Sequence, residues 1–173
     1  MRLIAYTIVL ALFVAACGTS DPADGSSTSD SAAIYAISLE KLVTDENGFG
    51  GGGNPFSELL VLTSLDPGAG SGEPGEIRAL TEDEMAAIEA ALAPHGTVRW
   101  IDDADEWRTS DLMPVVEGSA ILGVGPIAFD DQGALVPMSM WCGGLCGTWF
   151  TYRVVDSDAG WVVQGVEGPI AVS

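Results

Sequence analysis

The stretch Ala134–Val154, ALVPMSMWCGGLCGTWFTYRV, decides the fold because it has the pattern of two strands joined by a glycine-rich turn. With Gly143–Leu145 as a three-residue loop, Cys142 lies opposite Cys146 and the flanking residues pair in antiparallel register. One face of this hairpin then gathers apolar and aromatic side chains and a single threonine. These inner-face residues are Ala134, Val136, Met138, Met140, Thr148, Phe150, Tyr152 and Val154. A one-residue shift would mix the two faces, so the pattern supports this register without reference to the cysteines.

The opposite face of the same strands carries Trp141 and Trp149. Large apolar side chains on an uncovered sheet face mark a contact surface. We therefore predict that these two tryptophans form a contact patch for a partner. A helix packed over them within the same chain is the alternative.

The two cysteines of the turn are predicted to form a disulfide. Directly opposed residues of an antiparallel pair have Cα atoms about 4.5–5.5 Å apart, and a disulfide tolerates about 4.4–6.8 Å. Disulfides persist outside the cytoplasm. A Cys142–Cys146 bridge would then fix the glycine-rich turn.

Thiol redox chemistry and Cu(I) binding are the competing interpretations of this motif. The spacing is C-x-x-x-C rather than C-x-x-C. Thiolate and thioether ligands select Cu(I), and Met138 and Met140 share a face with Cys142, so a four-residue set with Cys146 is conceivable. Methionines on an inner face more often fill a core. We therefore predict no metal and no cofactor.

Two helices are predicted upstream of the hairpin. Thr81-Glu82-Asp83-Glu84 forms a capping box at the start of a helix that ends near Pro94. Ile34–Val43 has apolar residues at helical spacing, although a strand is the alternative. The segment Gly48–Gly53 satisfies G-x-G-x-x-G, but no strand leads into it, so we interpret it as a loop.

The remaining pattern predicts an α+β fold, in which an antiparallel meander sheet of four to six strands carries two packed helices. Turn signals follow Phe129 and Val155. Residues 66–76 and the acidic segment 102–114 are expected to be connections. The expected strands are residues 59–65, 97–101, 120–129, 134–141, 147–155 and 161–166. Residues 169–172 are a further candidate for a short strand.

The N-terminus has the composition of an export signal. Arg2 precedes an apolar run, Leu3–Ala16, that is too short to span a bilayer. The segment Val14-Ala15-Ala16-Cys17 resembles the lipobox of bacterial lipoproteins. That resemblance implies cleavage before Cys17, a lipid on its sulfur and attachment to a membrane of the cell envelope. We therefore expect a signal peptide at 1–16, a polar flexible linker at 17–31 and a single extracytoplasmic domain at 32–173.

The C-terminal part resembles a module of uncharacterised secreted and lipid-anchored bacterial proteins. The matching features are an apolar strand at Ala134–Met138, the sequence CGGLCG at Cys142–Gly147, an aromatic strand, and Gly160-Trp161 before a final short strand. The resemblance implies a shared structural module and no particular activity.

Charge and histidine content restrict the function further. The net charge is −19, and it becomes −20 without Arg2, so phosphate backbones are repelled and nucleic acid is a poor partner. His95 is the single histidine, and no nucleophile elbow or H-E-x-x-H motif is present. We expect a non-catalytic, lipid-anchored envelope protein that contacts another envelope protein.

The lipid anchor is tested by Cys17→Ala. Without the acceptor sulfur, we expect the protein to leave the membrane fraction or to keep its signal peptide. Membrane fractionation and intact mass measure both results. Unchanged membrane attachment and processing of the variant would contradict the lipobox interpretation.

Overall fold

The computed structural model describes residues 28–49, 53–70 and 77–173. The signal peptide, Cys17 and most of the expected linker lie outside these ranges. Within the described ranges, neither helix has the length and apolar character that crossing a bilayer demands.

Both predicted helices are present. Helix α1 spans Thr28–Thr44 and so begins inside the segment expected to be a linker. Helix α2 spans Glu82–Leu92 and begins with the predicted capping box. The Thr81 hydroxyl accepts a hydrogen bond from the Glu84 amide, and the Glu84 carboxylate accepts one from the Thr81 amide. The reciprocal pair satisfies two amides that a helix start leaves without partners.

A single sheet of seven strands forms the other layer. Its order is β2-β1-β3-β5-β6-β7, and β4 also pairs with β5. The strands are β1 Glu58–Leu62, β2 Thr97–Ile101, β3 Ser119–Val124, β4 Ala128–Asp130, β5 Gly133–Gly143, β6 Cys146–Ser157 and β7 Gly160–Val172.

The fold class is α+β, but the prediction of an antiparallel meander of four to six strands is wrong for part of the sheet. Strand β1 lies between β2 and β3 and is parallel to both. The chain returns from β1 to β2 through α2, and a helical crossover of this kind places consecutive strands parallel. The antiparallel part begins at β3 and continues through β5 and β6 to β7.

The hairpin register is confirmed over the long strands, from Ala134 opposite Val154 to Met140 opposite Thr148. The turn is tighter than predicted. Gly143 pairs with Cys146 after a bulge at Cys142, which leaves a two-residue loop where three residues were expected. A second difference is that the expected strands at 161–166 and 169–172 form one strand, β7, whose pairing with β6 is interrupted by register shifts.

The two helices pack against each other and cover one face of the sheet. The inner face of the hairpin is buried there as predicted, with Met138, Tyr152 and Val154 fully inaccessible. Helix α1 contributes Tyr35, whose hydroxyl donates to the carbonyl of Gly125 at 3.1 Å. Burial raises the pKa of that hydroxyl to about 12, so Tyr35 is a neutral hydrogen-bond donor.

The other face of the sheet carries a smaller apolar cluster. Leu60, Ile101, Ile121 and Trp141 are buried together there. The connection from β2 to β3 crosses this face through a 3-10 helix, Asp105–Trp107. The alternative to an exposed tryptophan patch was a helix of the same chain packed over this face. The structure has this acidic connection there in place of a helix.

An ion cluster joins three strands at the end of the sheet opposite the cysteine turn. Arg153 of β6 is buried and donates to Asp130 of β4 at 2.7 Å and to Glu167 of β7 at 2.7 and 3.0 Å. Hydrogen bonds from Arg153 hold the pKa values of both carboxylates below their ordinary values.

This cluster predicts acid sensitivity. Because the folded pKa values are lowered, the stabilisation is complete above the ordinary values of 3.8 for Asp130 and 4.5 for Glu167. It is lost as the pH falls through the folded values. When the pH is lowered from about 7 to about 3, we expect the urea concentration at the unfolding midpoint to decrease. We expect a smaller decrease in the Asp130→Asn/Glu167→Gln variant than in the unchanged protein. Equal losses in the two proteins would show that the cluster contributes nothing.

Candidate functional site

The cysteine turn lies beside the segment that follows helix α1, because Cys146 and Phe49 line the same two cavities. The sulfur atoms of Cys142 and Cys146 lie within bonding distance, and their Cα atoms are 5.0 Å apart. This geometry is compatible with the predicted disulfide. Both residues are partly exposed.

The four residues considered for Cu(I) do not face a common space. Met138 is fully buried and Met140 is 2% exposed within the core cluster. Packing among Phe150 and Tyr152 accounts for these methionines as core residues. Among the described residues, no group of three or more His, Cys, Asp or Glu is arranged to hold a metal ion.

Exposed apolar side chains surround the cysteine turn, and we call this set the apolar end. Its five members are between 55% and 94% exposed, and they are Phe49, Leu112, Met113, Leu145 and Val172. They come from four separate segments of the chain, which the fold brings to one place. A concentration of exposed apolar side chains marks an interaction surface, whereas single ones are ordinary.

Two cavities lie side by side within the apolar end. One, of about 480 Å³, runs between Phe56, Met113 and the cysteine pair. The other, of about 320 Å³, is lined by Leu145, Val172 and the buried Met140. Phe49 and Cys146 border both cavities. The two hollows are therefore neighbours that share Phe49 and Cys146 in their lining, and we call them together the groove.

The backbone at Leu112 is strained where it meets the cysteine turn. With a φ of 56°, Leu112 is the single non-glycine residue in the left-handed region among the described residues. The Leu112 amide donates to Thr109 and the Thr109 hydroxyl accepts from the Met113 amide, so the turn is held closed. A side chain larger than hydrogen at Gly144 would contact Leu112. Such strain concentrates at functional positions.

Carboxylates border the apolar end. Glu46 lines the smaller cavity, Glu117 lines the larger one, and Asp111 precedes Leu112. All three residues are exposed. Within the described ranges, the lining of both cavities includes no lysine or arginine. The surface is thus apolar at its centre and acidic at its border.

The two tryptophans of the predicted contact patch are less exposed than expected. Trp141 is 8% exposed, and Trp149 is half-buried. The guanidinium of Arg108 stacks over the Trp141 ring at 4.8 Å, which is cation–π distance. The two indoles therefore line a cleft beneath the β2–β3 connection.

Most polar groups of this outer-face cleft, of about 360 Å³, already have partners. Asp66 accepts hydrogen bonds from the Ser139 hydroxyl and the Gly68 amide. Asp105 pairs with Arg108 at 3.2 Å. A contact patch at Trp141 and Trp149 stays a prediction, with Trp149 its more accessible member.

A third hollow, of about 400 Å³, lies between α1 and the start of α2. Its main charged groups, Arg78 and Glu84, form a two-point ion pair at 2.7 Å. Burial opposes ionisation of Glu84, but hydrogen bonds from Arg78, Thr81 and Ser31 hold its pKa below its ordinary value. His95 lies apart from this hollow, and its Nε2 atom is 3.1 Å from Oε1 of Glu40. Neither arrangement pairs a nucleophile with a base.

Sequence reasoning located the cysteine turn but missed the apolar end. The available signals were apolar residues in segments otherwise typical of loops, namely Phe49 within a glycine run and Leu112-Met113 after an acidic stretch. Comparison of the chain with protein-family models, curated proteins and solved structures gives no match.

The bond between Cys142 and Cys146 is tested by alkylation and unfolding. The protein is isolated without reductant, unfolded, treated with an alkylating agent and analysed by mass spectrometry. We expect neither Cys142 nor Cys146 to be alkylated. Closing so short a loop contributes about 2 kcal/mol in the chain-entropy model, so the double Cys→Ser variant should lose about that much in urea unfolding. Free thiols in the native protein would contradict the bridge and favour redox or metal chemistry.

Proposed function

We propose that this chain is a lipid-anchored, non-catalytic binding protein of the bacterial cell envelope, which contacts a partner protein through the apolar end. The observation that carries the proposal is the concentration of Phe49, Leu112, Met113 and Leu145 around the cysteine turn. Aromatic residues and methionine are typical of protein interfaces.

The position of the apolar end suits an anchored protein. Helix α1 starts at Thr28, where the linker joins, and Asp30 contacts the indole of Trp161 in its first turn. Helix α1 ends at Thr44, from which the chain continues to Phe49. A helix of 17 residues is about 25 Å long, so the apolar end lies that far from the linker. Anchoring by Cys17 would therefore leave the apolar end accessible.

An extracytoplasmic thiol-redox or Cu(I)-handling role for Cys142 and Cys146 is the less supported alternative. Cu(I) binding by the four-residue set needs thioether ligands, whereas Met138 and Met140 pack in the core. Both the redox role and the Cu(I) role need reactive thiolates, whereas the sulfur atoms of Cys142 and Cys146 lie within bonding distance of each other.

The proposed function is tested by crosslinking in the intact envelope. The full chain carries the photo-reactive residue p-benzoylphenylalanine in place of Leu145, or in place of Ile77 as a control. Both side chains are exposed, Leu145 at 94% and Ile77 at 65%, and Ile77 is not part of the apolar end. We expect one discrete adduct with a second protein from position 145 and none from position 77. Adding Met113→Ser should remove the adduct, and adding Ile170→Ser, an exposed apolar residue of β7, should retain it.

Three outcomes would contradict the proposal. The first is a similar smear of adducts from both positions, and the second is no adduct from position 145. The third is an adduct with twice the mass of the chain, which would indicate self-association in place of a different partner.

A further inference from the structure

We infer that the apolar end binds a basic amphipathic segment, a helix with one apolar face and lysine or arginine along its borders. This inference rests on the proposed function and specifies the chemistry of the partner. Both the shape of the groove and the charge that surrounds it favour such a segment.

The groove provides two apolar hollows separated by Phe49 and Cys146. Successive apolar side chains on one face of a helix lie about one turn apart, so two of them can enter neighbouring hollows. Met113 and Leu145 lie on opposite sides of the cysteine turn and can cover such anchors. Methionine side chains adapt to different partners because they are flexible and polarizable.

Three carboxylates at this surface form no ion pair with any of the described residues. Every lysine and arginine in the described ranges already pairs with a carboxylate. No ion pair within those ranges involves Glu46, Asp111 or Glu117. These three side chains border the groove, so they are placed to meet the charged borders of a basic helix.

The same charge disfavours two other occupants. In a symmetric dimer through the apolar end, the acidic borders of the two copies would meet, and like charges repel. Anionic lipid headgroups would also be repelled by Glu46 and Glu117. A cationic partner gains from the charge that excludes these occupants.

The test measures peptide binding by the full-length chain, taken from its envelope into phosphatidylcholine nanodiscs, with empty nanodiscs as the background. The first probe is a labelled leucine/lysine amphipathic peptide about 14 residues long, which makes four helical turns. The second is its leucine/glutamate analogue. Fluorescence anisotropy should show the basic peptide binding at least about tenfold more tightly than the acidic one.

Matched variants separate a specific groove from general attraction. Met113→Ser/Leu145→Ser should weaken binding of the basic peptide about tenfold, whereas Ile77→Ser/Ile170→Ser, with the same net charge, should leave it unchanged. Glu46→Gln/Glu117→Gln should weaken binding more than Asp156→Asn/Asp158→Asn, which removes equal charge from the exposed end of β6 and the turn that follows it.

Each contrary outcome has a distinct meaning. Equal weakening by the two charge variants would show diffuse attraction and overturn the inference. Equal binding of the two peptides, with sensitivity to Met113→Ser/Leu145→Ser, would overturn the basic partner while leaving the docking surface of the proposed function intact. Insensitivity to the apolar variants would overturn both.

Discussion

The pairing of β5 with β6 is the constraint on which the rest of the structure depends. Successive residues of a strand face opposite sides, so placing Met138 opposite Phe150 assigns every side chain of both strands to a face. Strand β3 adds to the free side of β5 and strand β7 adds to the free side of β6. The apolar inner face then requires the two helices as cover, and the tryptophans are left on the outer face.

This pairing also explains why partner binding is assigned to the turn rather than to an edge of the sheet. An unprotected edge strand is open to pairing with any other chain. Strand β7 is an edge, but register shifts interrupt its pairing and Pro169 lacks an amide hydrogen there. Strand β2 is the other edge, and Arg99 in its middle pairs with Glu58. Both edges therefore carry features that discourage pairing with another strand.

Local patterns in the sequence predicted local structure well. The capping box at Thr81 and the alternation of β5 and β6 each depend on neighbouring residues, and each is present. The sheet topology depended on a crossover that periodicity does not show, since β1 and β2 have the same strand pattern in parallel and antiparallel sheets. The strand–helix–strand order from β1 through α2 to β2 is the signal that could have predicted parallel pairing.

Only the local part of the candidate site could be predicted, because sequence patterns report on neighbouring residues. Cys142 and Cys146 are four residues apart, so spacing alone brought them together. Phe49 and Leu112 meet near them only through the tertiary fold, and no short-range pattern joins the segments. Trp141 was predicted to be exposed, but an acidic connection covers it. The composition of that connection is typical of a solvated loop, so it gave no sign that the connection would cover a tryptophan.

The high negative charge and the exposed apolar end are physically coupled. Apolar side chains as accessible as Leu145 would favour self-association in a neutral protein. A large net charge keeps copies of the same chain apart by mutual repulsion. Because Glu46 and Glu117 bring that charge to the border of the groove, the repulsion acts where apolar contact would otherwise occur. If the proposed partner is basic, the same carboxylates attract it, so one set of side chains both opposes self-association and favours that partner.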